Sequence, residues 1–282
     1  MNGITGIDHT LVGVRNLEAA RELWHRLGFT VTPRGRHIGW GTGNYCIMLG
    51  AGYIELLGIV DASQFTNNLD FFLKTREGLM GLAFATDDAA GCAASLHEAG
   101  IAAEGPKQLK RLLELPEGTV VPEFALVHPA PDAMPGLKAF VCQHLTPELV
   151  RRPDWLTHPN GAAALLGMTI AVDQPRALVP AWRRLLGDRA VRADAAAMLV
   201  ETGGGRLLFA TPETLASRYR DVAPLPEFNR PWAVAMSLGV NDLARCERSL
   251  RDSGFDPTRL GDGIALPPAA TGGLFLEFVA IG

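Results

Sequence analysis

The stretch that decides the fold is Gly6-Ile7-Asp8-His9-Thr10-Leu11-Val12-Gly13-Val14, answered further along by Gly52-Tyr53-Ile54-Glu55-Leu56-Leu57-Gly58. Each reads as a strand, and each sets one metal-competent side chain among apolar neighbours. Strict alternation puts Ile7, His9, Leu11 and Gly13 on one face of the first strand, with Asp8, Thr10, Val12 and Val14 on the other. In the second, Tyr53, Glu55 and Leu57 share a face. Were the two strands neighbours, an imidazole and a carboxylate would point into one cavity.

Working outward, the first strand ends at Val14-Arg15-Asn16-Leu17. Leu17, Ala20, Leu23, Trp24 and Leu27 then recur at helical spacing before Gly28-Phe29. The phrase returns at Thr86-Asp87-Asp88-Ala89, with Leu96 and Gly100-Ile101. It returns again at Val172-Asp173-Gln174-Pro175, with Leu178, Trp182, Leu185 and Gly187, and at Val240-Asn241-Asp242-Leu243, with Cys246, Leu250 and Gly254-Phe255. From strand end to glycine the spacing is 14 residues in three copies (14 to 28, 86 to 100, 240 to 254) and 15 in the other (172 to 187). Asn16, Asp88 and Asp242 stand where a side-chain oxygen caps the orphan amides of a helix. Pro175 suits a first helical position, and the glycines suit helix ends.

Short strands are expected after each helix, at residues 29–33, 44–49 and 53–60 in the first copy and 255–259, 263–266 and 273–281 in the fourth. The chain therefore reads as an α+β fold of four βαβββ units in two pairs. In the second unit, residues 107–118 read as a loop, 129–135 as a Pro-rich turn and 137–144 as the last strand. Connectors run through residues 61–77, 145–161 and 214–231, with Phe65, Leu69, Phe71 and Phe72 expected to pack the first one down. A boundary in the middle connector gives two domains, residues 1–149 and 150–282.

The bulk properties agree with two domains: 282 residues, 48% hydrophobic and 20% charged, are enough for substantial cores. A net charge of −4 with no long basic run gives no reason to expect nucleic acid or an anionic membrane as a partner. Cys46, Cys92, Cys142 and Cys246 form no C-x-x-C pair, which argues against a disulfide scaffold and fits a reduced, cytoplasmic setting. Neither a secretory leader nor an apolar run long enough to span a membrane is visible, so a soluble intracellular protein is expected. Phosphate-loop, nucleophile-elbow and H-E-x-x-H motifs are missing from the sequence.

The four units resemble the vicinal oxygen chelate superfamily of glyoxalase I, extradiol dioxygenases and bleomycin-resistance proteins. The likeness is sharpest across residues 6–58, through His9, Leu27-Gly28-Phe29 and Tyr53-Ile54-Glu55-Leu56. Arg36-His37-Ile38-Gly39-Trp40-Gly41-Thr42-Gly43-Asn44 resembles the glyoxalase-like subgroup. The resemblance implies that first and fourth strands of a unit lie side by side, that each pair of units forms a cupped mixed sheet with helices outside, and that a divalent metal sits at the base of a cup. It is the resemblance, and not periodicity, that makes His9 and Glu55 neighbours.

Within that reading His9, Glu55 and His144 are the expected metal ligands, a set that leaves open positions and suits iron, manganese, zinc or nickel without choosing among them. Glu55 and His37 are the expected catalytic residues, with Trp40, Thr42, Asn44, Tyr53 and Phe140 around a small-molecule substrate. Copy alignment places Gly81, Gly167 and Ala235 at the position of His9, so the other first strands bring no ligand there. The C-terminal pair, with Glu277 in its last strand, is expected to be a degenerate or supporting copy. Two functions stay open: a metal-dependent lyase, isomerase or dioxygenase acting on an oxygen-rich metabolite, and a metal-free binding or resistance protein in which His9 and Glu55 form a hydrogen-bonded pair. A homodimer is left open.

Overall fold

The computed structural model describes residues 1–227 and 229–281. Its first half runs β1 (Gly6–Gly13), α1 (Leu17–Arg26), β2 (Gly35–His37), β3 (Thr42–Met48), β4 (Tyr53–Ile59), α2 (Leu69–Thr75), β5 (Gly78–Ala85), α3 (Ala89–Glu98), β6 (Ala103–Leu115), β7 (Gly118–Val120), β8 (Glu123–Pro129) and β9 (Ala139–His144). The second half runs β10 (Ala162–Ala171), α4 (Val179–Leu186), β11 (Val191–Ala193), β12 (Ala197–Glu201), β13 (Arg206–Ala210), α5 (Pro212–Tyr219), β14 (Trp232–Val240), α6 (Leu243–Asp252), β15 (Thr258–Leu260), β16 (Gly263–Leu266), α7 (Pro268–Thr271) and β17 (Phe275–Ala280).

The repeated helices form as their sequences require. Asn16, Asp88 and Asp242 each accept a bond from a backbone amide of the first turn, at Ala19, Gly91 and Arg245. Gly28 and Gly254 follow two of the helices at φ +84° and +83°, in the left-handed region where a Cβ would clash. Units one and two share a sheet of order β2-β3-β4-β1-β5-β9-β8-β6-β7. β1 pairs parallel with β4 and antiparallel with β5. Units three and four make β11-β12-β13-β10-β14-β17-β16-β15 in the same manner.

The two sheets differ in how they close. In the first, β2 also pairs with β6, through Gly35–Leu113, Arg36–Leu112 and His37–Arg111, and this seam closes the sheet on itself. Among the described residues the second sheet has no such closing pair. Its hollow is filled instead by α5, whose Leu215 and Tyr219 are fully buried beside Trp232 and Phe275. Tyr219 stacks on Phe275 with ring centroids 4.1 Å apart. A single apolar core joins the backs of both sheets, with Phe84 against Trp182 and Phe29 against Phe278.

Three local expectations are corrected. Residues 29–33 are not a strand; the second strand is β2, inside the Gly-rich segment, where it finds partners on both edges. Residues 107–118 are mostly β6 rather than a loop: Leu109, Arg111, Leu113 and Leu115 alternate inward while charged neighbours face out, and β8 and β2 pair its edges. The first connector carries α2, held by fully buried Leu69 and by Phe72 over Gly13, but Phe65 and Phe71 are 57% and 64% exposed.

Asp88→Ala removes the cap of α3 and is expected to cost about 1 kcal/mol. Urea unfolding should show a lower midpoint with an unchanged slope and an unchanged far-ultraviolet spectrum.

Candidate functional site

Closure of the first sheet encloses a cavity of about 150 Å³. Its inner end is built on β1. The pairing of β1 with β5 matches Ile7 to Phe84 and His9 to Ala83, so Asp8 is the extra residue of a β-bulge. The bulge cancels one step of the alternation. Ile7 turns into the apolar core, and the side chains of Asp8 and His9 meet, His9 Nδ1 donating to Asp8 Oδ2 at 2.6 Å. The expectation that Asp8 faces away from His9 is thereby corrected.

Asp8 is 3% exposed and also takes a bond from His144 Nε2 at 3.1 Å. Burial alone would raise its pKa, but the His144 and His9 bonds and charges outweigh that and hold the carboxyl well below its usual range. With Nδ1 committed to Asp8, a neutral His9 presents its Nε2 lone pair to the cavity. The His9 ring is fixed further by stacking on Tyr53, with centroids 4.4 Å apart, and by Phe140 edge-on at 5.7 Å.

Glu55 on β4 faces this imidazole, Oε2 lying 3.6 Å from His9 Nε2. Its Oε1 lies 3.7 Å from His37 Nε2 and accepts a short bond from Asn44 Nδ2. Asn44 reaches it because Gly35 has no side chain: a Cβ there would sit 2.1 Å from Asn44 Oδ1. Burial would raise the Glu55 pKa, but His37, His9, the Asn44 bond and Arg111 bring it below its ordinary value, so Glu55 is an anion at neutral pH. Burial pushes His37 down, against the pull of Glu55, which keeps that ring neutral; its Nδ1 is hydrogen-bonded to Thr42 Oγ1 at 2.9 Å.

The residues singled out from the sequence thus separate into groups. His9, His37, Trp40, Thr42, Tyr53, Glu55 and Phe140 line one cavity. Asn44 stands behind Glu55 and positions it. His144 is turned toward Asp8, sharing its Oδ2 with His9, and its ring is edge-on to Tyr53 at 5.9 Å. Together with Asp8 and Cys142 it brings three metal-competent atoms within 4.8 Å of one another. Burial holds the Cys142 thiol well above its ordinary pKa, and in this cluster Asp8 Oδ2 already accepts from both His9 and His144.

Sequence reasoning missed Asp8, whose role depends on the bulge, and Arg111. The signal for Arg111 was present: Leu109, Arg111, Leu113 and Leu115 alternate, which places a cation on the inner face of a strand. In the second half Glu277 on β17 shows what Glu55 would be without a cavity. Its oxygens are taken by Tyr219 Oη at 2.7 Å, Arg218 Nη2 at 2.9 Å and Ser237 Oγ at 2.6 Å.

The closed sheet of paired βαβββ units is the architecture expected from the resemblance to the vicinal oxygen chelate superfamily. Residues 7–186 match the family model described as a glyoxalase-like domain, and the chain belongs to that family. A search of curated protein sequences finds no match. Among solved structures the chain is similar to a hypothetical protein from Staphylococcus aureus, at 11% identity and a TM-score of 0.69, covering 98% of this chain and 99% of that one. It is also similar to a variant of 4-hydroxymandelate synthase from Streptomyces coelicolor, at 14% identity and a TM-score of 0.61, covering 99% and 93%. A xylose isomerase-like TIM barrel/4-hydroxyphenylpyruvate dioxygenase fusion protein aligns at 13% identity and a TM-score of 0.55, covering 98% of this chain and 48% of that one. At these identities the structural likeness defines the fold. Among the described residues no helix is long and apolar enough to cross a membrane.

Because the folded-state pKa of Asp8 lies below its unfolded value, its stabilising contribution is full above the ordinary carboxylate range and is lost as pH falls through the folded value. Asp8→Asn is therefore expected to cost about 1.5–3 kcal/mol at pH 7, the value of hydrogen bonds to a charged acceptor. The gap between variant and wild type should narrow as chemical unfolding is repeated below about pH 4.

Proposed function

We propose that the protein is a metal-dependent enzyme that acts on a small oxygen-rich metabolite bound in the first half, residues 1–149, with residues 150–282 as its supporting copy. The observation that carries this reading is the pair of imidazole Nε2 atoms facing one buried carboxylate, at 3.6 Å from His9 and 3.7 Å from His37. These gaps are too long for hydrogen bonds. Each imidazole faces a different oxygen of the carboxylate, His9 toward Oε2 and His37 toward Oε1, so the three side chains converge without bonding one another.

The donor chemistry fits a divalent ion. His37 is neutral, Glu55 is ionised, and each is held from behind, by Thr42 and Asn44. His9, His37 and Glu55 would hold the metal, and His144 would act through Asp8 on the orientation of His9. Two imidazoles and a carboxylate with open positions suit iron, manganese, zinc or nickel. When bound, the metal polarises substrate oxygens as a Lewis acid, the common requirement of lyase, isomerase and dioxygenase chemistry. The chain's own residues do the rest. Asp8 fixes the His9 tautomer, Asn44 fixes the rotation of Glu55, Tyr53 and Phe140 clamp the His9 ring, and Trp40 on the lining is held edge-on against Phe65.

Equilibrium dialysis against each ion, followed by elemental analysis, tests the reading. About one metal per chain is expected, with affinity lowered tenfold or more in His9→Ala and in Glu55→Gln, as removal of a ligand requires. Wild-type protein that takes up no ion, or variants that bind as well as wild type, would overturn it. Ligand affinity undiminished by exhaustive chelation would instead mark a metal-free binding protein.

A further inference from the structure

Arg111 lies on β6 opposite His37 in the seam, lines the cavity and is only 4% exposed. A buried guanidinium is expensive unless it is paired, and natural proteins rarely leave one without a carboxylate. Among the described residues no carboxylate oxygen lies within 4.0 Å of it. Its Nη1 contacts the sulfur of Cys46 at 3.2 Å, its planar head lies 5.6 Å from the Phe124 ring centre, and its Nε is buried with no hydrogen-bond acceptor. Glu55 is the one lining carboxylate, and it is shared with His9 and His37. Lys138 on the same lining adds a second cation.

Among the lining side chains two cations, Arg111 and Lys138, therefore face the single carboxylate of Glu55, while Asp8 behind His9 is engaged by His9 and His144. The remaining walls, Leu11, Leu57, Leu109, Phe124 and Leu126, are apolar. The volume of about 150 Å³ is that of a cavity that holds a benzene-sized body. We propose that Arg111 is the anion-recognition residue of this cavity, and that the ligand is a small organic acid, one carboxylate on a compact apolar body. A carboxylate would supply the acceptor that Nε lacks and a planar partner for the guanidinium fork. That this ligand is a substrate rests on the metal-enzyme reading; that it is an organic anion does not.

Benzoate and its neutral isostere benzamide are suitable probes, titrated calorimetrically into chelated and into metal-loaded protein. Wild type should bind benzoate at least tenfold more tightly than benzamide in both states. Arg111→Met should lose that preference and keep its benzamide affinity, while Arg111→Lys keeps part of the preference. Should Arg111→Met fail to fold, the Arg111 Nε–H resonance of wild type decides, since it should shift with benzoate and stay in place with benzamide. Equal affinity for the two probes, binding of neither, or full benzoate affinity in a folded Arg111→Met would overturn the proposal. Benzoate preference in a chain that takes up no metal would sink the metal reading and leave this one standing. Stoichiometric metal without that preference would do the reverse.

Discussion

The His9 end of the cavity depends on a buried anion behind it, Asp8. Asp8 has almost no contact with water, so its charge persists only because His9 and His144 supply bonds that solvent would otherwise give. Meeting that demand fixes the His9 ring, and the fixed ring decides which nitrogen faces Glu55. The bulge at Asp8 is what makes this geometry attainable, because a regular strand would send the carboxylate to the opposite side.

A second constraint acts from across the barrel. The β2–β6 seam is short, yet it brings His37 and Arg111 to the same edge of the cavity and prevents the sheet from splaying. The second half has the same strand order around β10 and β14 but uses α5 where the first has a seam and a hollow. The contrast between Glu55 and Glu277 follows directly. Both are buried carboxylates on the last strand of a unit, and both need partners. Glu277 finds a tyrosine, an arginine and a serine of its own chain, whereas Glu55 has one asparagine bond and two histidines held just beyond hydrogen-bond range. One carboxylate is saturated by its own chain and the other is open toward a cavity.

The sequence by itself determined the four-unit architecture, because helix caps, terminating glycines and strand ends recur at near-constant spacing and depend on local backbone chemistry. It also marked His9, Glu55 and His37 as unusual, since titratable groups among apolar residues stand out in any linear reading. Resemblance to a known superfamily supplied the adjacency of β1 and β4, which period alone does not encode. Only the tertiary structure decided the bulge at Asp8, the turning of His144 to Asp8, the strand at residues 103–115 and the arrival of Arg111 in the cavity. Each of these depends on register between distant strands. A slip of one residue reverses every side chain, and that choice is made by pairing across the sheet, not by the residues next in line.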